Sequence, residues 1–464
     1  MSEKRRDGVW TGGTSRPSGW GKAAHHDEVA GGLPREDVVI SAAYERIEGM
    51  NAPMVTGSSR IRLHALEMRA DRDQWYVGRM ETGNFVALPP IAIDVLRLLR
   101  EGLSTDEAAA RLQETHGRDI NVQSFVEKLV ALGYVATVDD QPIAGPEPIR
   151  PTWPWLRPQH ARWALSPVTA AVVMTVPILA VVALFVRPDL IPSYHKLFWS
   201  SHTSLIIAGN AVIAWSIILL HESAHLFTAR AVGVPGRIEF GTRLQFLTVQ
   251  TDVTGVWAAP KRVRLTVYLS GIAVNLFITG AALLLGLVIG TDQLAGRLLG
   301  AAALLSLLFV PTQFLLFMRT DLYFVLQDLA RCGNLYADGS AYVRYRARRR
   351  WQAITGRGEQ PVDPSAKLPT AERRAVRAYA PILTVGTALC LSFAGVVTVP
   401  TAVTVLTRAL RDTTGAGSGP RLEGLLTLII TGGFWTLWCR TWWRGHSGQV
   451  TGWWNRHRPT QERR

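Results

Sequence analysis

The sequence predicts an α-helical multi-span membrane protein of about six transmembrane helices with a short membrane-proximal β-hairpin, preceded by an N-terminal α+β winged-helix-like domain. Three observations predict it. Residues 164–443 consist of long apolar runs broken by basic stretches. Residues 41–137 instead mix strand-like alternation with short helical periods. Between the two lies a segment carrying Pro142, Pro146, Pro148, Pro151, Pro154 and Pro158.

Residues 1–40 are rich in Gly, Arg and Asp without periodicity and are expected to be a disordered tail, in which the pair His25-His26 reads as solvated. The opening Met-Ser-Glu-Lys-Arg-Arg has no apolar core behind its charges, so no signal peptide is expected.

Residues 41–140 form the small domain. Ile61–Leu66, Gln74–Arg79 and Asn84–Leu88 alternate as strands do. Pro89-Pro90 opens a helix with Ile91, Val95, Leu98 and Leu99 on its apolar side. Ser104 and Glu107 fit a capping box for a second helix. A third runs from Asn121 to Leu132 and is closed by Gly133. Residues 141–163 then read as a stiff, proline-rich linker.

Runs long enough to cross ~30 Å of hydrocarbon fall at 164–186, 203–226, 264–290, 297–318, 379–407 and 422–440. Arg150, Arg157 and Arg162 precede the first run, and five basic residues from Arg230 to Arg262 follow the second. The densest basic stretch, Arg344 to Arg350, follows the fourth. Basic loops mark the cytoplasmic side, so both termini, including the basic tail 444–464, are expected there, in a bacterial-type plasma membrane. The net charge of +14 comes mainly from these arginines, so the partner implied is the lipid bilayer and not nucleic acid. The three cysteines, Cys332, Cys390 and Cys439, form no C-x-x-C and imply no thiolate metal site.

Chemistry is concentrated where the second run ends, at His221-Glu222-Ser223-Ala224-His225. On a helix this spacing puts both imidazoles on one face, one turn apart, beside a carboxylate. That is two ligands of a Zn2+ site plus a general base. A catalytic zinc needs a third protein ligand and an open position. Asp321, at the end of the fourth run and at the same depth, is the candidate; Asp328 is the alternative, with an exposed or supporting role more in keeping with its neighbours. A carboxylate at the centre of an apolar helix costs roughly 2.5–3.5 kcal/mol, less near the interface. Metal binding worth on the order of 10 kcal/mol offsets that. After the motif, Arg237–Phe240 and Leu244–Phe246 alternate around Gly241, and Thr248–Val253 continues extended, as a hairpin near the membrane would. Its edge suits an extended substrate peptide.

Two resemblances follow. Phe85-Val86-Ala87-Leu88-Pro89-Pro90, the helix ending Leu98-Leu99-Arg100-Glu101-Gly102 and the restart at Ser104–Ala108 resemble the small peptide chaperone of pyrroloquinoline quinone biosynthesis. That family is the prototype of leader-recognition elements, and the resemblance, over about 60–137, implies capture of a leader peptide by strand addition. A DNA-binding winged helix is the other reading of this unit; its helices lack a dense basic face.

His221–His225, Ser270-Gly271-Ile272-Ala273-Val274-Asn275 and Thr320-Asp321-Leu322-Tyr323-Phe324 resemble the site-2 protease family of intramembrane zinc metalloproteases. Ile272 stands where that family usually has proline, and Leu322 where it usually has glycine. Asp252–Trp257 resembles the branch found beside bacterial ribosomal-peptide genes. The resemblance implies metal ligands His221, His225 and Asp321, Glu222 as general base, and Asn275 holding substrate or the oxyanion. The expected activity is a zinc metalloendopeptidase removing the leader of a ribosomally made, modified precursor peptide. The alternatives are a regulatory protease cutting a transmembrane substrate of one span, and a non-catalytic export or immunity scaffold, which would have no need of Glu222.

Overall fold

The computed structural model describes residues 54–457 apart from 72–73, 118, 245, 359 and 415–417. The 1–40 tail with His25-His26 and the end of the basic tail lie outside the described residues.

The small domain opens with strand β1 (Ile61–Leu63), followed by β2 (Glu67–Asp71), β3 (Gln74–Arg79) and β4 (Asn84–Leu88). Helices α1 (Pro90–Arg100), α2 (Thr105–His116) and α3 (Val122–Ala131) come next, then β5 (Val135–Val138) and the short β6 (Gln141–Pro142). Two antiparallel sheets result, ordered β2-β3-β4 and β1-β5-β6. β3 and β4 match the residues the alternation marks. β2, β5 and β6 escape it: β2 is short and polar, and β5 has one buried residue at each end of its four.

Both caps are made. Ser104 Oγ accepts from Glu107 N while Glu107 Oε2 accepts from Ser104 N (2.7 Å). Asn121 Oδ1 accepts from Ser124 N, and Gly133 takes the left-handed φ of 72° that ends α3. Leu96, Leu99, Val126 and Tyr134 fill the core between helices and sheets. The Tyr134 hydroxyl lies 3.0 Å from the Val77 carbonyl and 3.1 Å from that of Asn84.

The proline-rich segment does more than space two domains. It is without helix or strand over 143–151 but ends in a short helix at Pro158–Ala161, and the apolar residues between its prolines need burial. Leu156 and Ala161 are fully buried, and Ile149 N donates to Glu81 O (2.7 Å). Thr152 N donates to Gly236 O (3.1 Å), tying the segment to the start of the hairpin.

Among the described residues, six helical segments are long and apolar enough to cross a membrane. They are α4 (Pro167–Val186), α5 (Thr203–Ala231), α6 (Lys261–Ile289), α7 (Leu294–Thr312), the pair α10 (Thr370–Phe393) and α11 (Val399–Thr414), and α12 (Ser418–His457). The π-helical turn Ala394–Thr398 joins α10 to α11. Between the spans lie the hairpin β7 (Arg237–Arg243) and β8 (Phe246–Asp252), and helices α8 (Asp321–Ala330) and α9 (Leu335–Thr355). α4 meets α6 where a Cβ on Gly280 would stand 3.0 Å from the backbone of Pro177.

Two boundaries differ from the hydropathy pattern. The fourth span ends at Thr312, not 318, because Pro311 occupies its last turn and a 3-10 turn at Leu316–Met318 redirects the chain. The last helix runs on through Arg444 to His457, so the basic tail begins as helix.

Candidate metal centre

The second span is built so that its last turns face α6. His221 and His225 are both buried, and their Nε2 atoms lie 3.2 Å apart. Asp321 Oδ2 completes a triangle, 3.0 Å from His221 Nε2 and 3.2 Å from His225 Nε2. These three residues form a group that could hold a metal ion.

Two of the three donors are held from behind. His225 Nδ1 stands 2.7 Å from the Val267 carbonyl. A carbonyl only accepts, so Nδ1 carries the proton and Nε2 turns its lone pair to the centre. Asp321 opens α8, where the helix dipole favours a carboxylate. Its backbone N–H donates to Gln313 Oε1 (3.1 Å), and Thr320 Oγ1 donates to Gln313 O (2.5 Å). Arg319, with φ of 59°, turns the chain so that these bonds form. Burial opposes the charge on Asp321; the two imidazoles, when protonated, offset that and hold its carboxyl below the usual carboxylate range. Asp321 Oδ2 nonetheless makes no hydrogen bond, although it is buried. A buried oxygen facing two ring nitrogens at about 3 Å lacks a positive partner, and a cation fits that place.

Close approach by α6 is required. A Cβ on Gly271 would lie 2.5 Å from Nε2 of both histidines, so only glycine lets this helix pass the imidazoles. Glu222 points into the same cavity, of about 670 Å³, which is lined by β8, the turn before α8 and parts of α5, α7 and α12. Thr251 Oγ1 lies 2.7 Å from Glu222 Oε2 and 3.0 Å from Glu222 O, and so orients the carboxylate from β8.

Arg243, on β7, donates to the carbonyls of Met318 (2.8 Å) and Arg319 (2.6 Å) and to Gln250 Oε1 (3.1 Å). It fastens the hairpin to the turn that delivers Asp321. Burial, and then the neighbouring Arg319, lower its pKa to about 10, so it stays charged at neutral pH. Thr251, Gln313 and Arg243 carry no motif signal. The roles of Thr251 and Arg243 depend on a strand pairing, Arg243↔Phe246 through Ile238↔Thr251, that brings both strands of the hairpin over the site.

Two of the residues singled out in the sequence lie apart from this cluster. Asp328, the alternative third ligand, is neither exposed nor at the centre. It pairs with Arg264 through two bonds, Nε–Oδ2 at 3.0 Å and Nη2–Oδ1 at 2.5 Å, and both side chains are 4% exposed. Two helical turns separate it from Asp321, and a buried arginine demands a buried carboxylate. Asn275 is fully buried one turn beyond Gly271 and does not line the cavity. Its amide nitrogen and oxygen make no hydrogen bond, while its carbonyl accepts from Thr279 and Ser306.

The small domain packs directly against this site. Its anchor is the 3-10 turn Thr254–Ala258, which continues β8 and contributes Thr254, Val256 and Trp257 to the cavity wall. Trp257 packs with Phe85 and Tyr76, the latter at 6.2 Å between ring centroids. Arg69 donates to the carbonyls of Trp257 and Ala259. On its other side Trp257 lies 5.5 Å beneath the guanidinium of Arg264. One indole therefore touches both the small domain and the buried pair that braces α8.

No protein-family model, curated protein or solved structure matches the chain.

Proposed function

We propose that this chain is a membrane-embedded zinc metallopeptidase of the site-2 protease type, which removes the leader of a ribosomally synthesised, modified peptide. The observation that carries the proposal is the triangle of His221, His225 and Asp321 with the Glu222 carboxylate in the same cavity. Donor separations of 3.0 and 3.2 Å approach the edge of a tetrahedron with bonds of about 2 Å, roughly 3.3 Å, which suits zinc with two imidazoles and one carboxylate. When bound, zinc acts as a Lewis acid towards water and the scissile carbonyl.

This chain's own groups do the rest. Glu222, oriented by Thr251, takes a proton from the attacking water and returns it to the leaving amine nitrogen. The hairpin keeps a substrate backbone extended, so that its carbonyl is open to attack. Asn275 is the donor proposed for substrate or the oxyanion, a role that requires α6 to open the cavity by one turn beyond Gly271; its buried, unbonded amide is a group in need of a partner. The winged-helix-like small domain captures the leader by strand addition, on the cytoplasmic side with both termini.

A second substrate class is favoured by the other wall of the cavity. Trp215, Ile217, Phe309, Phe434 and Trp435 belong to apolar spans, and they suit the unwound end of a single-span membrane protein.

Glu222→Gln is the direct test. Purified protein should keep its zinc and lose cleavage by roughly a thousandfold or more. Cleavage at the native rate would remove Glu222 from the chemistry, and zinc near zero in the native protein would end the metallopeptidase proposal.

A further inference from the structure

A second cavity, of about 560 Å³, lies between α9 and the start of α10. Its charged and aromatic walls are Tyr342, Tyr345, Arg346, Arg349, Arg350 and Arg377. The single carboxylate present, Asp363, accepts from Arg377 Nη2 (2.8 Å), whose Nε donates to Ser365 Oγ (3.2 Å). Arg349 donates to the Tyr345 hydroxyl (3.3 Å), which carries no charge. Among the described residues, three guanidinium groups from α9 therefore share one concavity with no carboxylate beyond the one paired with Arg377. The imbalance extends beyond the cavity: residues 335–378 hold ten Arg and Lys against four Asp and Glu. Like charges gathered in a concave site repel one another and attract an anion, and guanidinium forks match phosphate oxygens.

We infer that this cavity binds the phosphate headgroup of an anionic membrane lipid. Its depth argues for a lipid. Arg377 is followed by Ala378, Tyr379 and the apolar run of α10, the start of a segment long and apolar enough to span a bilayer, so the cavity stands where headgroups lie. The surface beside it argues the same way. Trp351 is 67% exposed and Ile354 82% exposed, and Ile354 continues the row Arg346–Arg350 by one further turn. Water gives no reason to display an indole and an isoleucine next to a basic cavity, whereas the headgroup boundary does.

A phosphate here links two helices that support the metal turn. Arg346, Arg349 and Arg350 come from α9 and Arg377 from α10. α10 also carries Tyr379, whose hydroxyl donates to Leu316 O (3.0 Å) just ahead of Asp321.

Native mass spectrometry of the full-length protein, with phosphatidylglycerol or phosphatidylcholine added, tests the assignment. The native protein should retain phosphatidylglycerol roughly tenfold to thirtyfold better than the double variant Arg346→Gln/Arg350→Gln, about a threefold to fivefold loss per arginine. Unchanged metal content in the variant checks that it is folded, since neither arginine makes a hydrogen bond or ion pair with the described residues. Equal retention by the two proteins, or equal retention of phosphatidylcholine, overturns the inference. Binding of millimolar inorganic phosphate without retention of phosphatidylglycerol assigns the cavity to a soluble anion and overturns it as well.

Discussion

The candidate metal centre and the junction between the small domain and the membrane helices meet at β8 and the turn that continues it, and are built in opposite ways. The candidate centre takes two histidines and a carboxylate from five consecutive residues, His221–His225, and one more carboxylate from the first position of α8. The junction takes Arg69, Tyr76, Met80 and Phe85 from a domain more than a hundred residues earlier and sets them on Thr254–Ala259. Chemistry needs particular residue types at fixed spacing; coupling needs only shapes that fit. The first can be read along a chain and the second cannot.

Gly271 is where that comparison is easiest to break, because it belongs to the centre yet acts only by its shape. Gly271→Ala should drive a methyl group into both imidazoles, whose nitrogens stand 2.5 Å from the new Cβ. Packed helices in a bundle do not yield easily, so the histidines must turn away, and metal affinity should fall roughly a hundredfold. Competition with a chelator reads this directly. Native affinity in the variant would mean that α6 can retreat without cost.

How far the molecule is legible in its sequence follows the same division. The six spans, the hairpin, the capping box and Asp321 each rest on a local signal: apolar length, alternation, a Ser–Glu spacing, a carboxylate just past an apolar run. β2 gives no such signal, since Glu67–Asp71 is mostly polar and is held only by its pairing with β3. Asp328 misleads for a related reason. Its sequence neighbours suggest an exposed or supporting role; it is buried and its partner is Arg264, sixty-four positions away, and two buried opposite charges are invisible until the helices pack. Thr251 and Arg243 are unremarkable letters until the hairpin register brings them over Glu222 and the turn at Met318–Arg319.

Thr251 gives the intermediate effect. Thr251→Val keeps the shape and β-branching of the residue but removes the hydroxyl that orients Glu222. Cleavage should slow by roughly tenfold to a hundredfold in kcat with KM little changed, and zinc content should stay at the native level. Thr251→Ser should recover most of the rate. A loss shared equally by the valine and serine variants would assign Thr251 to strand packing rather than to the carboxylate.

The smallest effect is expected at the junction, and it separates two views of the small domain. If that domain only tethers a leader, Arg69→Ala should raise KM for a leader-bearing peptide and leave a short leaderless peptide unaffected. The packing argues otherwise. Arg69 holds the carbonyls of Trp257 and Ala259, Trp257 lies against Arg264, and Arg264 braces α8 through Asp328. The same turn continues the strand that carries Thr251. Loosening it should lower kcat by roughly threefold to tenfold, about 1 kcal/mol of lost positioning, and should do so for both peptides alike. A defect confined to the leader-bearing peptide would make the small domain a detachable hook, and Trp257 an ordinary piece of packing between two independent parts.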